Sequence, residues 1–203
     1  MKTSKSTKVW SRKSISSLLL VTILLGITAI PEKAAAQNPY KVITTSQIKV
    51  SGTSNLHDWN MSANNFTCEG DFTVSNGILK DLRAMTFTLP VASLKSKEKL
   101  MDTRAYKALN EEKFKTISFK LTDATVVPQQ KIIKATGNLT ISGVTKPVTI
   151  QSTYVVNEDG SITCRGSKAI KMSSHGMKAP SFMMGALKTG DDVTIDILLK
   201  LKK

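Results

Sequence analysis

The sequence predicts a mainly β protein whose strands close into an eight-stranded antiparallel barrel, with one short helix inserted mid-chain. About eight segments alternate apolar and polar side chains with the period of two that is typical of half-buried strands. Short turns join them and no βαβ crossover separates them, which favours antiparallel pairing. A closed barrel leaves no strand edge unpaired. The rival fold, an immunoglobulin-like sandwich, requires a Cys–Trp–Cys order, whereas here Trp59 precedes Cys68.

Residues 1–36 are predicted to form a secretory signal peptide. Basic residues precede an apolar stretch from Ile15 to Ile30, and Ala34 to Ala36 provides an A-x-A cleavage site. Cleavage after Ala36 predicts a periplasmic or secreted protein, and the alternative is an uncleaved N-terminal anchor. Residues 37–203 then form a single barrel domain. Losing six basic residues and one acidic residue lowers the formal charge from +14 to +9.

This basic charge favours anionic partners, and we expect transient contact with a membrane surface. Nucleic acid is not an expected partner, because no basic stripe interleaved with aromatic residues is present. The sequence is compatible with a homodimer. Cys68 and Cys164 both belong to the exported part, and an oxidising compartment permits a disulfide between them. The alternative is two buried, reduced cysteines.

The first strand is predicted over Tyr40 to Thr53. Phe66, Cys68, Gly70, Phe72 and Val74 then share one face of the next strand. Asn76-Gly77 is a strong signal for a type I′ hairpin turn. The strand that follows runs from Ile78 to Pro90.

The stretch from Lys95 to Lys115 predicts the helix, because Met101, Ala105 and Ala108-Leu109 recur at helical spacing. Asp102 is the expected helix cap. We expect the helix to be short and to lie across an apolar surface.

Strands resume after the helix, and the clearest hairpin is ATGNLTISGVTKPVTI, from Ala135 to Ile150. Gly143 marks a turn of four to five residues, and Pro147 stands at the start of the returning strand. Asp159-Gly160 predicts a second type I′ turn. The remaining strands are predicted over 114–127, 132–141, 162–170 and 193–201.

Catalytic chemistry is poorly supported, so we do not predict an enzyme. His57 and Asp58 are sequence neighbours that point to opposite faces of a strand. Asp191-Asp192 is interpreted as turn capping. A Met/His-rich loop offers soft ligands for copper, with haem handling as a related alternative. Its residues also suit loop packing or pocket lining, so no metal site is predicted; they are Met172, His175, Met177, Met183 and Met184.

Small residues on inward faces favour a barrel with an internal ligand space, because they leave room beside the larger apolar side chains. They equally suit bends or bulges. The candidates are Gly70, Ala84, Ala135, Gly137 and Gly166.

Three segments carry a resemblance to a known family. They are FKTISF from Phe114 to Phe119, GNLTISGVTKPV from Gly137 to Val148, and GALKTGDDV from Gly185 to Val193. Together they resemble the YceI-like family of bacterial exported polyisoprenoid-binding proteins. The resemblance implies a lipocalin-like barrel holding an isoprenoid, such as a polyprenyl or quinone tail, and no other cofactor. MSSHG, from Met172 to Gly176, stands where relatives more often read RSDFG.

The strand faces predict which residues line the lumen and its mouth. We expect the protein to carry or store such a lipid. A structural or stress-response envelope protein without a small ligand is the alternative. The predicted lumen residues are Phe72, Phe87, Phe119, Leu139, Ile141, Phe182 and Ile195, and the predicted mouth residues are His57, Trp59 and His175.

Overall fold

The computed structural model describes residues 39–203, so the predicted signal peptide lies outside the described residues. The strands are β1 (Tyr40–Val42), β2 (Gln47–Ser54), β3 (Trp59–Ala63), β4 (Thr67–Ser75), β5 (Ile78–Pro90), β6 (Thr116–Val127), β7 (Ile132–Ile141), β8 (Val144–Val156), β9 (Ile162–Lys171), β10 (Ser181–Phe182) and β11 (Leu187–Lys202). The α-helix is α1 (Lys99–Ala108), and short 3-10 turns cover Val91–Ser93, Pro128–Gln130, Met172–His175 and Met183–Gly185.

Eight strands close into the predicted antiparallel barrel. Strands β4 to β9 pair in sequence order, β9 pairs with β11, and β1 closes the ring by pairing with both β11 and β4. Every described strand pair is antiparallel. The closed ring of strands confirms the barrel over the sandwich, which has two separate sheets. Strands β2 and β3 extend the wall beside β11.

The predicted first strand is interrupted between β1 and β2. Both pieces run along the same edge of β11. At the break, the Ser46 hydroxyl accepts a hydrogen bond from the Lys200 amide at 2.8 Å and donates to its carbonyl at 3.2 Å. The side chain therefore replaces the ladder contacts that an uninterrupted strand would make.

Two of the three predicted hairpin turns have the type I′ backbone conformation that their residues favour. Asn76-Gly77 has positive φ at both residues, as a type I′ turn requires. Ser142-Gly143 has the same conformation, and Ile141 pairs with Val144, so this turn has two residues rather than the predicted four or five. At Asp159-Gly160 only the glycine has positive φ, and the type I′ prediction is wrong. The Asp159 carboxylate instead accepts hydrogen bonds from the amide and hydroxyl of Ser161.

The helix forms within the predicted stretch, but its N-cap residue is not the predicted one. Glu98 occupies the N-cap position without a side-chain capping bond. Asp102 is buried in the first turn, where its carboxylate accepts hydrogen bonds from the Ser96 amide at 2.7 Å and hydroxyl at 2.8 Å. The predicted Asp102 cap is therefore wrong, because this side chain anchors the preceding loop instead. Among the described residues, no helix has the length and apolar character needed to cross a membrane.

The two ends of the barrel differ in packing. At the end formed by the β4–β5 and β8–β9 turns, which we call the closed end, Leu79, Ile162 and Leu201 are completely buried. Tyr40 and Phe72 pack there edge to face, with ring centroids 5.6 Å apart. The opposite end, which we call the open end, carries α1 and the loops before β3 and β11. Side chains fill the closed end, so any internal space lies toward the open end.

Candidate functional site

The barrel contains an apolar cavity of about 350 Å³. Its walls come from inward-facing residues of the barrel strands and of β2 and β3. One face of α1 covers part of it through Met101, Ala105 and Ala108, as the helical spacing predicts. Charged groups are few: the lining contains Glu98, Arg104, Lys168 and Lys188 among many apolar side chains. Such a surface suits a long hydrocarbon chain better than a polar metabolite.

Most of the predicted lumen residues line this cavity. Phe87, Phe119, Leu139, Ile141 and Ile195 all contribute to its wall. Phe72 does not, because its ring is packed against Tyr40 in the closed end. Phe182 lies in β10, and its side chain is outside the described part of the structure.

The predicted mouth residues His57 and Trp59 lie at the open end and line the cavity. The Trp59 ring lies over Gly52, where an added Cβ would come within 2.5 Å of the indole. Its Nε1 donates to the Thr53 carbonyl at 3.1 Å. His57 Nδ1 lies 2.9 Å from the backbone carbonyl oxygen of Asp58, so this pair does not form a catalytic dyad.

Asn55 ties together the two loops that surround the opening. Its amide nitrogen donates to the Ala186 carbonyl at 2.7 Å, and its side-chain oxygen accepts from the Lys188 amide at 2.9 Å. Its own backbone amide donates to the Lys188 carbonyl at 3.1 Å. The β2–β3 loop therefore holds the segment before β11 in place, and residues from both line the cavity.

His175, the third predicted mouth residue, lines the cavity from a buried position and not from an exposed rim. It is only 2% exposed, and neither ring nitrogen has a hydrogen-bond partner in good geometry. Burial lowers the pKa of His175; the nearby carbonyls of Lys171 and Leu139 oppose this shift, and the charge of Lys146 adds to it. The imidazole therefore favours its neutral form.

Asp191 fixes the segment that carries His175. Its carboxylate accepts hydrogen bonds from the Ser173 amide at 2.8 Å and hydroxyl at 2.6 Å, and these bonds lower the pKa of Asp191. The neighbouring Asp192 forms an ion pair with Lys171 at 3.1 Å. The two carboxylates thus anchor a loop, as their interpretation as turn caps implies, and do not converge on one site.

The Met/His-rich loop divides between two environments. Met172 and His175 are buried on the cavity wall, and Met177 lines the cavity beside them. Met183 and Met184 are exposed on a separate 3-10 turn. Among residues 39–203, no cluster of three or more His, Cys, Asp or Glu side chains has a geometry suited to a metal ion. The five thioether and imidazole groups therefore do not gather into one soft-metal site.

Cys68 and Cys164 are free and buried, so the disulfide permitted by the sequence is not formed. They lie on β4 and β9, and β11 and β1 stand between these strands in the sheet. Burial raises the pKa of each thiol to about 12, and the neighbouring Cys164 and Glu69 contribute further at Cys68. Both cysteines act as small apolar residues of the cavity wall.

Several residues of the cavity wall were not among the predicted lumen residues. From β5, Leu82 and Met85 line the cavity beside the predicted Phe87. Lys168 lines it from β9, in register with Ile195 of β11. A signal for Lys168 was present, because it alternates with Cys164, Gly166 and Ile170 on one face. Of the small residues, Ala135 lines the cavity, whereas Ala84 is exposed.

Comparison with known proteins agrees with this architecture. Residues 38–201 match the YceI-like domain. The chain belongs to the YceI-like family. The fold of this YceI-like chain is similar to that of Burkholderia cenocepacia BcnA, with a TM-score of 0.66 and 18% identity over 78% of this chain and 98% of that one.

Two further structures share the fold. A Campylobacter jejuni YCEI protein has a TM-score of 0.55 and 18% identity, covering 68% of this chain and 84% of its own. A polyisoprenoid binding domain from Saccharophagus degradans, implicated in plant cell wall breakdown, has a TM-score of 0.60 and 10% identity, covering 81% of this chain and 97% of its own. No curated protein matches the sequence.

Proposed function

We propose that this YceI-like protein is an exported lipid carrier that holds a polyisoprenoid or similar long apolar chain inside its barrel. The observation that carries this proposal is the cavity of about 350 Å³, enclosed by strand side chains and covered by α1. Ligand pockets of roughly 300–1,000 Å³ are typical for small molecules. The Saccharophagus degradans relative, named as a polyisoprenoid binding domain, supports an isoprenoid as the first ligand to test.

Binding explains the site better than catalysis does. His57 faces a backbone carbonyl, and the two cavity thiols have pKa values raised to about 12 by burial. A thiol with such a pKa is a poor nucleophile at neutral pH. The role we propose is therefore carriage or storage, in the periplasm or outside the cell, as the predicted signal peptide over residues 1–36 implies.

The proposal is tested by purifying the protein from its native envelope and recording native mass spectra. We expect an additional mass that organic extraction removes and identifies as a lipid. Ala135 lies on the cavity wall, so the variant Ala135→Phe should occupy part of the space and reduce the bound lipid. Ala84→Phe is the matched control because Ala84 is exposed. A wild-type protein without lipid, which also fails to take up isoprenoids in vitro, would favour a ligand-free envelope role.

We propose further that the cavity exchanges its ligand with a membrane through an apolar rim formed by Leu56, Met183 and Met184. All three side chains are exposed, and Leu56 lines the cavity opening. Both methionines have positive φ, a conformation that costs a non-glycine residue about 1–2 kcal/mol. The exposed Lys188, also at the opening, and the basic exported chain favour an anionic bilayer.

Vesicle co-sedimentation tests the rim. We expect binding to phosphatidylcholine vesicles that contain phosphatidylglycerol, and loss of that binding when all three rim residues are replaced by serine. Ile78→Ser is the control, since Ile78 is an exposed apolar residue at the closed end. Equal loss in both variants would show that exposed apolar area, and not this rim, drives the contact.

A further inference from the structure

Lys168 of β9 and Ser152 of β8 form a polar spot on the cavity wall inside the barrel. Both residues line the cavity and both are partly buried. Ser152 pairs in register with Gly166, which places it diagonally across the two strands from Lys168. Diagonal neighbours on one sheet face have Cα atoms roughly 7–8 Å apart, within reach of a lysine side chain.

Gly166 keeps this spot uncovered. A Cβ at that position would lie 3.1 Å from the Ser152 Cβ and 3.0 Å from the Gln151 carbonyl oxygen. Any larger side chain there would cover the surface between the hydroxyl and the ammonium group. The glycine therefore leaves both donors open to the cavity.

Neither donor has a partner within the described chain. The Lys168 ammonium has no hydrogen bond or ion pair among residues 39–203, and the Ser152 hydroxyl likewise has none. The next lysine along β9, Lys171, forms an ion pair with Asp192. An ammonium group on an apolar wall is costly unless water or a counter-ion reaches it.

The charges around the cavity favour an external anion as that counter-ion. Lys168 and Lys188 both place an ammonium group in the lining, and Glu98 is its one carboxylate among the described residues. Glu98 stands at the exposed start of α1 and is not ion-paired with Lys168. The two ammonium groups outnumber this carboxylate, and the charge of the lining therefore favours an anionic ligand group.

We propose that Lys168 and Ser152 form a subsite for the anionic group of an amphiphilic ligand, either a carboxylate or a phosphate. The Lys168 ammonium pairs with this group, the Ser152 hydroxyl donates a hydrogen bond to it, and the apolar chain follows the surrounding wall. The subsite rests on the proposed lipid-binding function and narrows its ligand class. Acidic amphiphiles are preferred over neutral ones with the same tail.

Two matched ligand pairs test this subsite on delipidated protein by isothermal titration. Geranylgeranyl phosphate and geranylgeraniol share one tail, and palmitate and hexadecanol share another. We expect at least one anion to bind about tenfold or more tightly than its alcohol, as a charge-assisted contact allows. The pair with the larger ratio distinguishes phosphate from carboxylate as the preferred group.

Substitutions assign the preference to the residues. Lys168→Met should bring the ratio of anion to alcohol affinity close to one, and Lys168→Arg should retain most of it. Ser152→Ala should lower it partly. Lys134→Met is the matched control, because Lys134 is exposed on β7 and does not line the cavity. Thermal melts of each variant confirm that the barrel is folded.

The outcomes separate the subsite from the proposed function. Binding of alcohols and anions with equal affinity would overturn the subsite and leave the lipid carrier intact. An anion preference that persists in folded Lys168→Met would overturn the assignment to Lys168. Absence of binding to all four ligands would count against both proposals.

Discussion

Truncating Phe72 and Phe87 in separate variants tests the division of the barrel into a packed end and a cavity end. Phe72 is 1% exposed and packs edge-on against Tyr40 with centroids 5.6 Å apart. Phe72→Ala should lower the free energy of unfolding by about 3–5 kcal/mol, because it leaves a void in a filled region. Phe87 already borders empty space and keeps one ring contact, with Phe66 at 5.3 Å. Phe87→Ala should cost less, about 1–2 kcal/mol.

Urea denaturation followed by circular dichroism gives both values, and an unchanged m value confirms comparable unfolding. For a domain of this size, each kcal/mol corresponds to about 2–4 °C in the melting temperature. Lipid binding should move the opposite way, weakening in Phe87→Ala and persisting in Phe72→Ala. Equal losses of stability, or loss of lipid binding only in Phe72→Ala, would refute the placement of the cavity.

Three further predictions test local features. Gly70→Ala should destabilise the barrel by about 1–3 kcal/mol, because the new Cβ would lie 2.4 Å from the Phe72 ring. This loss of stability should be smaller in a Phe72→Ala background, which a double-mutant cycle in urea would measure. Burial lowers the pKa of His175, so as the pH falls the unfolded chain binds a proton before the folded chain does. The stability of the protein should therefore decline as the pH falls below about 6.5. His175→Leu should reduce this decline, as measured by urea midpoints between neutral and mildly acidic pH. Cys68 and Cys164 should resist iodoacetamide in the folded protein and react after unfolding, whereas a native mass two daltons lower than that of the reduced chain would reveal a disulfide instead.

The alternating segments predicted the barrel because each strand buries one face whatever its neighbours are. The last strand shows this most clearly: Val193, Ile195, Ile197 and Leu199 recur with the period of two, and all four line the cavity. The type I′ turn at Asn76-Gly77 was equally local, since backbone conformation alone favours those residues there. At Asp159 a side-chain contact with Ser161 changed the turn, and a turn rule does not include that contact.

Local patterns in the sequence could not predict how far along the barrel axis each inward-facing side chain lies. Phe72 and Phe87 both belong to strand segments rich in apolar residues, yet one fills the closed end and the other borders the cavity. Strand register and barrel stagger set that difference, and each depends on residues distant in sequence. The helix start differed for a similar reason, because Asp102 binds Ser96 in the preceding loop.

Local patterns in the sequence were sufficient to predict the class of fold, the position of the helix and the family of this protein. These follow from local periodicity, turn chemistry and motifs that a single strand or hairpin contains. Contacts between distant segments instead determine that Cys68 and Cys164 are buried without a disulfide, that His175 is buried, and that Lys168 and Ser152 lie diagonally on one wall. Closing the barrel brings strands from across the chain around one space, and the contents of that space depend on all of them together.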